Sequence, residues 1–268
     1  MSYWKDKVVI VTGGSAGLGL EIARAFSGAQ AKVVIAARNP DRLAATVDQL
    51  TTRSQDLSGI ATDVTNPNDV QRLIDNTIAK FGRLDVLVNN AGKSDRGRAI
   101  STSPDTFREL LELNFLGPVN CIQAAIPHII KSQGHIISIG SLASKTASPF
   151  LGAYPASKFP IAAYSQQLRL ELGPQGVHVL LVCPGPIKRD DAGQRYDQRT
   201  ADLPASAKKP AGGAKLKSIS PRLLAAKILR ASELRRPELI VPKRARWLFA
   251  ISQLWPACGD WIVRRKTS

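Results

Sequence analysis

The segment Thr12-Gly13-Gly14-Ser15-Ala16-Gly17-Leu18-Gly19 constrains the fold of this chain more than any other stretch. It separates an apolar β-branched run at 8–11 from a stretch of helical spacing at 18–28, so its glycines sit in a strand–turn–helix setting. Gly13 suits a tight turn at the strand end, Gly17 lets backbone approach a pyrophosphate, and Gly19 lets the helix lie close on the sheet. The backbone of Ser15, Ala16, Gly17 and Leu18 would then turn free N–H groups and the positive end of the helix toward a phosphate.

The pattern after this turn repeats. Strand-like runs at 7–11, 32–36, 59–61, 84–88, 135–139 and 177–182 alternate with helical stretches at 18–28, 40–52, 67–81, 104–132 and 155–172. Such alternation predicts a single α/β domain, a doubly wound, Rossmann-like parallel sheet in three layers. The strands at 8–11 and 86–88 are apolar without alternation, as strands covered on both faces require. A helix at 221–232 and a strand at 238–241 would complete a catalytic domain over 1–243, followed by a tail at 244–268. Residues 188–220 break the pattern. The stretch 207–217 is small, basic and rich in Gly and Pro, and reads as a loop placed where a substrate lid would sit, or as a solvated insertion.

The second strand ends in Ala36-Ala37-Arg38. NAD-binding domains of this kind usually place an acidic side chain here for the ribose 2′-hydroxyl. A small neutral Ala37 followed by the Arg38 guanidinium suits a 2′-phosphate instead, which points to NADP(H) over NAD(H). Tyr154 and Lys158 are one helical turn apart at the start of the 155–172 helix, so an ammonium there can lower the pKa of the phenol and make it an acid–base at neutral pH. Ser141, just past the 135–139 strand, could hydrogen-bond a carbonyl. Asn89-Asn90-Ala91-Gly92 ends the neighbouring strand on the same edge, and Asn114 is an amide inside an otherwise apolar helix.

Taken together, 12–19, Asp63-Val64, Asn89–Gly92, Asn114, Ser141, Tyr154-Pro155-Ala156-Ser157-Lys158 and Pro184-Gly185-Pro186-Ile187 resemble the short-chain dehydrogenase/reductase family, densely over about residues 5–187. The resemblance implies that Tyr154 donates or accepts the hydroxyl proton, Lys158 holds the nicotinamide ribose and depresses the Tyr154 pKa, Ser141 positions the carbonyl, and Asn114 holds a relay water. It further implies adenine contact by Asp63 and Val64, ribose contact by Asn90, Ala91 and Gly92, and carboxamide contact by Ile187. A homodimer or homotetramer joined through the 104–132 and 155–172 helices is also implied. The expected reaction is hydride transfer between NADPH and a ketone or aldehyde, lipid-like carbonyls included, or the reverse on a secondary alcohol. Reduction of a 3-oxoacyl thioester is a second enzymatic reading, and a non-catalytic NADP sensor or scaffold is a reading of another class.

Three features depart from the family pattern. Pro155 and Pro160 lie in the catalytic helix, the second where a helical hydrogen bond should be lost and a slight kink introduced. Arg189 stands where the family often has a threonine. Pro237–Pro242 and the tail replace the glycine-rich ending of many acyl-carrier-protein reductases. The tail carries Trp247, Trp255 and Trp261 among Lys and Arg, which suits a membrane surface, and equally suits packing over the cleft or against a second subunit. Of the formal charge of +16, residues 188–268 supply a net +12, yet no aromatic-interleaved basic groove or reader motif suggests nucleic acid. No apolar run of bilayer-spanning length, no leader and no CxxC spacing occur, so the chain reads as cytoplasmic, without metal and with Cys121, Cys183 and Cys258 as reduced thiols.

Overall fold

The computed structural model describes residues 2–51, 56–189 and 216–267, with 203, 204, 207 and 213 between them. Seven parallel strands run β1 (Val8–Thr12), β2 (Lys32–Ala37), β3 (Leu57–Ala61), β4 (Val86–Asn89), β5 (His135–Ile139), β6 (His178–Pro184) and β7 (Glu238–Val241). Their order across the sheet is β3-β2-β1-β4-β5-β6-β7, so the sense in which strands are added reverses between β1 and β4, the place where a crevice opens at the carboxyl ends of such sheets. Every residue of β1, β4, β5 and β6 is buried, whereas the edge strands β3 and β7 are only partly covered. One apolar layer joins α1 (Gly17–Gly28), α2 (Pro40–Thr51) and α7 (Pro221–Glu233) to the sheet. The opposite layer is built by α3 (Pro67–Phe81), α5 (Gly117–Lys131) and α6 (Tyr154–Leu172). The three-layer, doubly wound architecture expected from the alternation is therefore present.

The 104–132 stretch differs from a single continuous helix. α4 (Pro104–Leu111) passes through a π turn at Glu112–Leu116 into α5. Pro118 has no N–H to donate to the carbonyl four residues back, that of Asn114, so the regular ladder lapses there. The Gly117 N–H reaches instead to the Glu112 carbonyl, five residues back, which accommodates the extra residue. Pro160, by contrast, does not end α6. The carbonyl it leaves unpaired belongs to Ala156, an exposed residue whose oxygen water can reach. Of the expected lid at 188–220, residues 190–202, 205–206, 208–212 and 214–215 lie outside the described residues.

At the opposite edge of the sheet lies a polar chain that the periodicity did not reveal. His135 and His178 are register partners at the first positions of β5 and β6. The Arg236 carbonyl can only accept, so His178 Nε2 (2.8 Å) carries a proton and donates to it. With burial favouring the neutral ring, His178 Nδ1 is bare and accepts from His135 Nδ1 at 2.9 Å, and His135 Nε2 in turn accepts from the Tyr3 hydroxyl at 2.8 Å. Both rings are thereby assigned neutral. Burial, together with the neighbouring His178, pushes His135 down to about 3, and burial lowers His178 as well. Unfolded histidine titrates near 6.5. The stability these neutral rings contribute is therefore complete above about pH 6.5 and is lost as pH falls toward the folded value, at about 1.4 kcal/mol per unit for each fully coupled ring. Urea midpoints measured from pH 7 to pH 4 should fall more shallowly in His135→Gln than in the wild type. Parallel curves would refute the assignment.

Candidate active site

The glycine turn is held by a small polar network at the ends of β1 and β4. Thr12 Oγ1 donates to the Val88 carbonyl (3.2 Å) and accepts the backbone N–H groups of Asn90 (3.0 Å) and Ala91 (3.1 Å). The Asn90 amide donates to the carbonyls of Thr12 (3.0 Å) and Gly13 (3.1 Å), so this side chain clamps the turn. Gly13 has φ of 62°, and a Cβ there would stand 2.9 Å from Ala91 Cα. A Cβ on Gly19 would collide with the Gly13 carbonyl, which is the close helix–strand approach anticipated for it. Gly17 is different. Its φ is 52°, yet beyond its chain neighbours and its own helix backbone nothing among the described residues lies within 4 Å of a Cβ built there. Whereas α3 is capped by Asn66, α1 begins after Ala16 with no side-chain cap and no acidic residue in its first turn. Its leading N–H groups and an open left-handed glycine form a cradle that fits the pyrophosphate of a dinucleotide. Ser15 and Leu18 flank it, the former half-buried and the latter buried.

The neighbouring loops carry the other residues expected to meet a cofactor. Arg38, at the end of β2, is exposed and makes no side-chain bond among the described residues, beside a nearly buried Ala37. One carboxylate oxygen of Asp63 accepts from the Thr65 N–H (3.0 Å) and hydroxyl (2.8 Å), and the Val64 carbonyl accepts from Asn120 (3.1 Å). Ile187 forms a bridge with Ile219 just beyond β6, and Arg189, next to it, is exposed.

Lys158, Ser141 and Asn114 lie at the carboxyl ends of β4 and β5, and Tyr154 stands at the start of α6, one turn before Lys158. Tyr154 opens α6, half-buried, and Lys158 follows one turn later at 6% exposure. Lys158 Nζ donates to the Ile139 carbonyl at 3.0 Å, its one acceptor among the described residues. The other ammonium protons are therefore available to ligand hydroxyls in a buried place, a second point at which the residues fit a dinucleotide. Burial lowers the Lys158 pKa to about 8. Ser141 caps the short turn Leu142–Ser144. Its Oγ accepts the Ala143 N–H (3.1 Å), which leaves its own proton free to donate. α6 packs against that turn.

Asn114 emerges from the π turn. It accepts the Lys93 N–H (2.9 Å) and donates to the Lys93 carbonyl and to Ser157 Oγ (2.8 Å each). Ser157 Oγ passes the chain on to the Tyr154 carbonyl at 2.8 Å. A Cβ on Gly92 would come within 2.8 Å of Asn114 Oδ1 and 3.4 Å of Lys158 Nζ, so the two polar groups converge on one bare backbone position. Among the described residues no group of His, Cys, Asp and Glu could hold a metal ion, and Cys121, Cys183 and Cys258 are free thiols.

A family model described as short chain dehydrogenase matches residues 7–200. The chain is 36% identical over 191 residues to Dehydrogenase/reductase SDR family member 7B of Danio rerio, an alignment covering 69% of this chain and 62% of that relative. It is 36% identical over 219 residues to L-fucose dehydrogenase of Mus musculus, covering 78% of this chain and 77% of the relative. A crystal structure of actinorhodin polyketide ketoreductase with NADPH shares the fold at a TM-score of 0.77 and 25% identity, over 90% of this chain and 97% of that one.

One positioning device escaped the sequence reading. Asp95 is 2% exposed, and its Oδ2 accepts the N–H of Ala153 (3.3 Å), the residue that leads into Tyr154. Gly97 bridges Leu151, and the Gly152 N–H donates to the Gly97 carbonyl at 2.9 Å. Gly152 has φ of 51°, and a Cβ there would strike the Asp95 carboxylate. A glycine two residues before Tyr154 was the available signal; its partner lies some sixty positions upstream, beyond the reach of local periodicity. Gly152→Ala should therefore destabilise the protein by about 1–3 kcal/mol, and Asp95→Ala should speed hydrogen exchange at the Ala153 amide by about tenfold or more. Unchanged urea midpoint and exchange rate would remove the staple from the account.

Proposed function

This chain belongs to the short-chain dehydrogenase family of oxidoreductases, and from that premise we propose that it is an NADP-dependent reductase of ketones or aldehydes, or the corresponding secondary-alcohol dehydrogenase. The observation that carries this reading is the buried Lys158 ammonium, one turn from Tyr154, with a single carbonyl acceptor among the described residues and donors to spare. A bound nicotinamide would supply or take up the hydride. In reduction, Ser141 offers its free O–H to the substrate carbonyl oxygen and Tyr154 gives that oxygen a proton. The Lys158 charge stabilises the phenolate left behind, and Asn114, held by Lys93 and Ser157, sits beside Gly92 where a water could link Lys158 to solvent. Gly13–Gly19, Asp63, Val64, Asn90–Gly92 and Ile187 would frame the dinucleotide. Leu116, Phe159 and Leu170, exposed on the π turn and α6, support a homo-oligomer contact there.

The printed activities of the similar proteins, a sugar dehydrogenase and a polyketide ketoreductase, share carbonyl–alcohol chemistry but not a carbon skeleton. The likeness to the ketoreductase favours including a 3-oxoacyl thioester among the substrates tried. The decisive experiment is a turnover screen with NADPH across ketones and aldehydes of graded size, with acetoacetyl-CoA as one arm. Tyr154→Phe should lose about 10²–10⁴-fold in kcat while binding the dinucleotide normally. Normal dinucleotide binding with no turnover on any substrate would instead favour a sensor or scaffold. For cofactor choice, Arg38→Leu should weaken NADPH binding about tenfold or more and leave NADH nearly unchanged, because only the former presents a 2′-phosphate to the guanidinium. Equal losses for both dinucleotides would overturn the preference for NADP.

A further inference from the structure

Past β7 the chain forms a helical hairpin, α8 (Ala245–Leu254) and α9 (Pro256–Thr267). The hairpin is anchored at a few points. Phe249 is buried with Ile161, Leu181, Cys183 and Ile240, and the two helices cross where Gly259 lies against Ser252, so closely that a Cβ on Gly259 would collide with that residue. Four large apolar side chains point outward. Trp247 is 73% exposed, Leu254 67%, Trp255 63% and Trp261 58%. Trp247 and Leu254, seven residues apart, share one stripe of α8, on the side away from Phe249. One interpretation open in the sequence, packing over the cleft, does not account for these four residues, since all are exposed.

The charge around them is one-sided. Lys243, Arg244, Arg246, Arg264, Arg265 and Lys266 are all exposed, and Asp260 is the one acidic residue between 243 and 267. The Arg265 guanidinium lies over the Trp261 ring, 5.3 Å from its centroid, so cation and aromatic present themselves together. A second copy of this chain makes a poor occupant. A twofold contact sets the same patch against itself, and here that would bring cations against cations with a lone acid to offset them. An apolar partner leaves the cations unanswered. Indole rings with cationic neighbours on an amphipathic helix match a surface with an apolar interior and an anionic rim.

We infer that the α8–α9 hairpin is a peripheral docking element for bilayers with anionic headgroups. The tryptophans enter the headgroup region and the lysines and arginines meet the lipid phosphates and carboxylates. The inference is independent of the reaction proposed above. Among the described residues no helix is long and apolar enough to cross a membrane, so the contact is interfacial. Its other consequence is spatial. Ala245 and Phe249 of α8 pack in the same apolar cluster as Leu142, the neighbour of Ser141, so a docked hairpin brings the mouth of the candidate site close to the lipid surface.

The test is cosedimentation of the full chain with phosphatidylcholine vesicles, with and without about one third phosphatidylserine, at moderate salt where exposed charges still act over about 10 Å. The protein should pellet with the anionic vesicles, remain in solution with the neutral ones, and be released by high salt. Arg244→Glu/Arg246→Glu should weaken binding about a hundredfold or more, since each cation near such a surface contributes about fivefold and here its sign is reversed. Trp247→Ser/Trp255→Ser, at exposed positions, should abolish pelleting with the thermal midpoint unchanged. Failure to pellet, or equal pelleting with neutral vesicles, overturns the inference. So does concentration-dependent dimerisation that Trp247→Ser abolishes in a protein that ignores vesicles, which would assign the face to a second copy, and so does tight binding to a duplex oligonucleotide without vesicle binding.

Discussion

The buried charge of Lys158 is the constraint around which the rest of the site is arranged. An ammonium taken out of water is unfavourable unless its protons find acceptors, and among the described residues this one has a single carbonyl, that of Ile139. Burial lowers its pKa to about 8, against about 10.4 for a lysine in the unfolded chain. A base whose folded pKa is depressed weakens the fold while it is charged in both states, and the penalty is relieved as pH rises from the folded to the unfolded value. At neutral pH the protein therefore carries a standing strain at this position. Such strain is expected where stability yields to a ligand-binding or reactive role. Gly92 is bare because its Cβ would crowd both Lys158 and Asn114, and α6 starts at Tyr154 because Asp95 and Gly97 fasten the segment before it.

The two halves of the crevice are held by different means. On the dinucleotide side, Thr12 and Asn90 stitch the ends of β1 and β4 through short bonds to backbone, so the turn is rigid where a phosphate would rest. On the substrate side, side chains are linked in series, from Lys93 through Asn114 and Ser157 to the Tyr154 carbonyl. A disturbance at Asn114 would reach the backbone of Tyr154, whereas one at Arg38 would stay at the surface. The distinction follows from burial: Asn114 is 1% exposed and Arg38 lies in solvent.

Much of this was legible in the chain as written. Short apolar runs located the strands of the sheet, and the glycine turn stood out by its place between a strand and a helix; Ser141 was a candidate by its place beyond a strand end, and Tyr154 and Lys158 by their spacing at a helix start. What local pattern could not convey were pairings between residues far apart. Asp95 reads as a surface acid until Gly152 is seen against it, and His135 and His178 read as ordinary strand residues until β5 and β6 are laid side by side. Asn90 suggested a ligand contact, but its amide is engaged by the glycine turn itself. The interruption at Glu112–Leu116 had a visible sign in Pro118, which helical spacing alone outweighed.

That interruption also bears on how the chain can vary. The π turn holds one residue more than a regular helix would between α4 and α5, and each residue of a helix turns its neighbours by about 100°. Deleting or inserting a single position between 104 and 131 would rotate α5 about its axis and carry Cys121, Ile122, Ala125 and Ile129 off the sheet, or else absorb the change by straightening the turn and withdrawing Asn114. A change of length along this stretch therefore acts on the site itself, and the number of residues from Ser103 to Asn120 works as a ruler for the placement of Asn114.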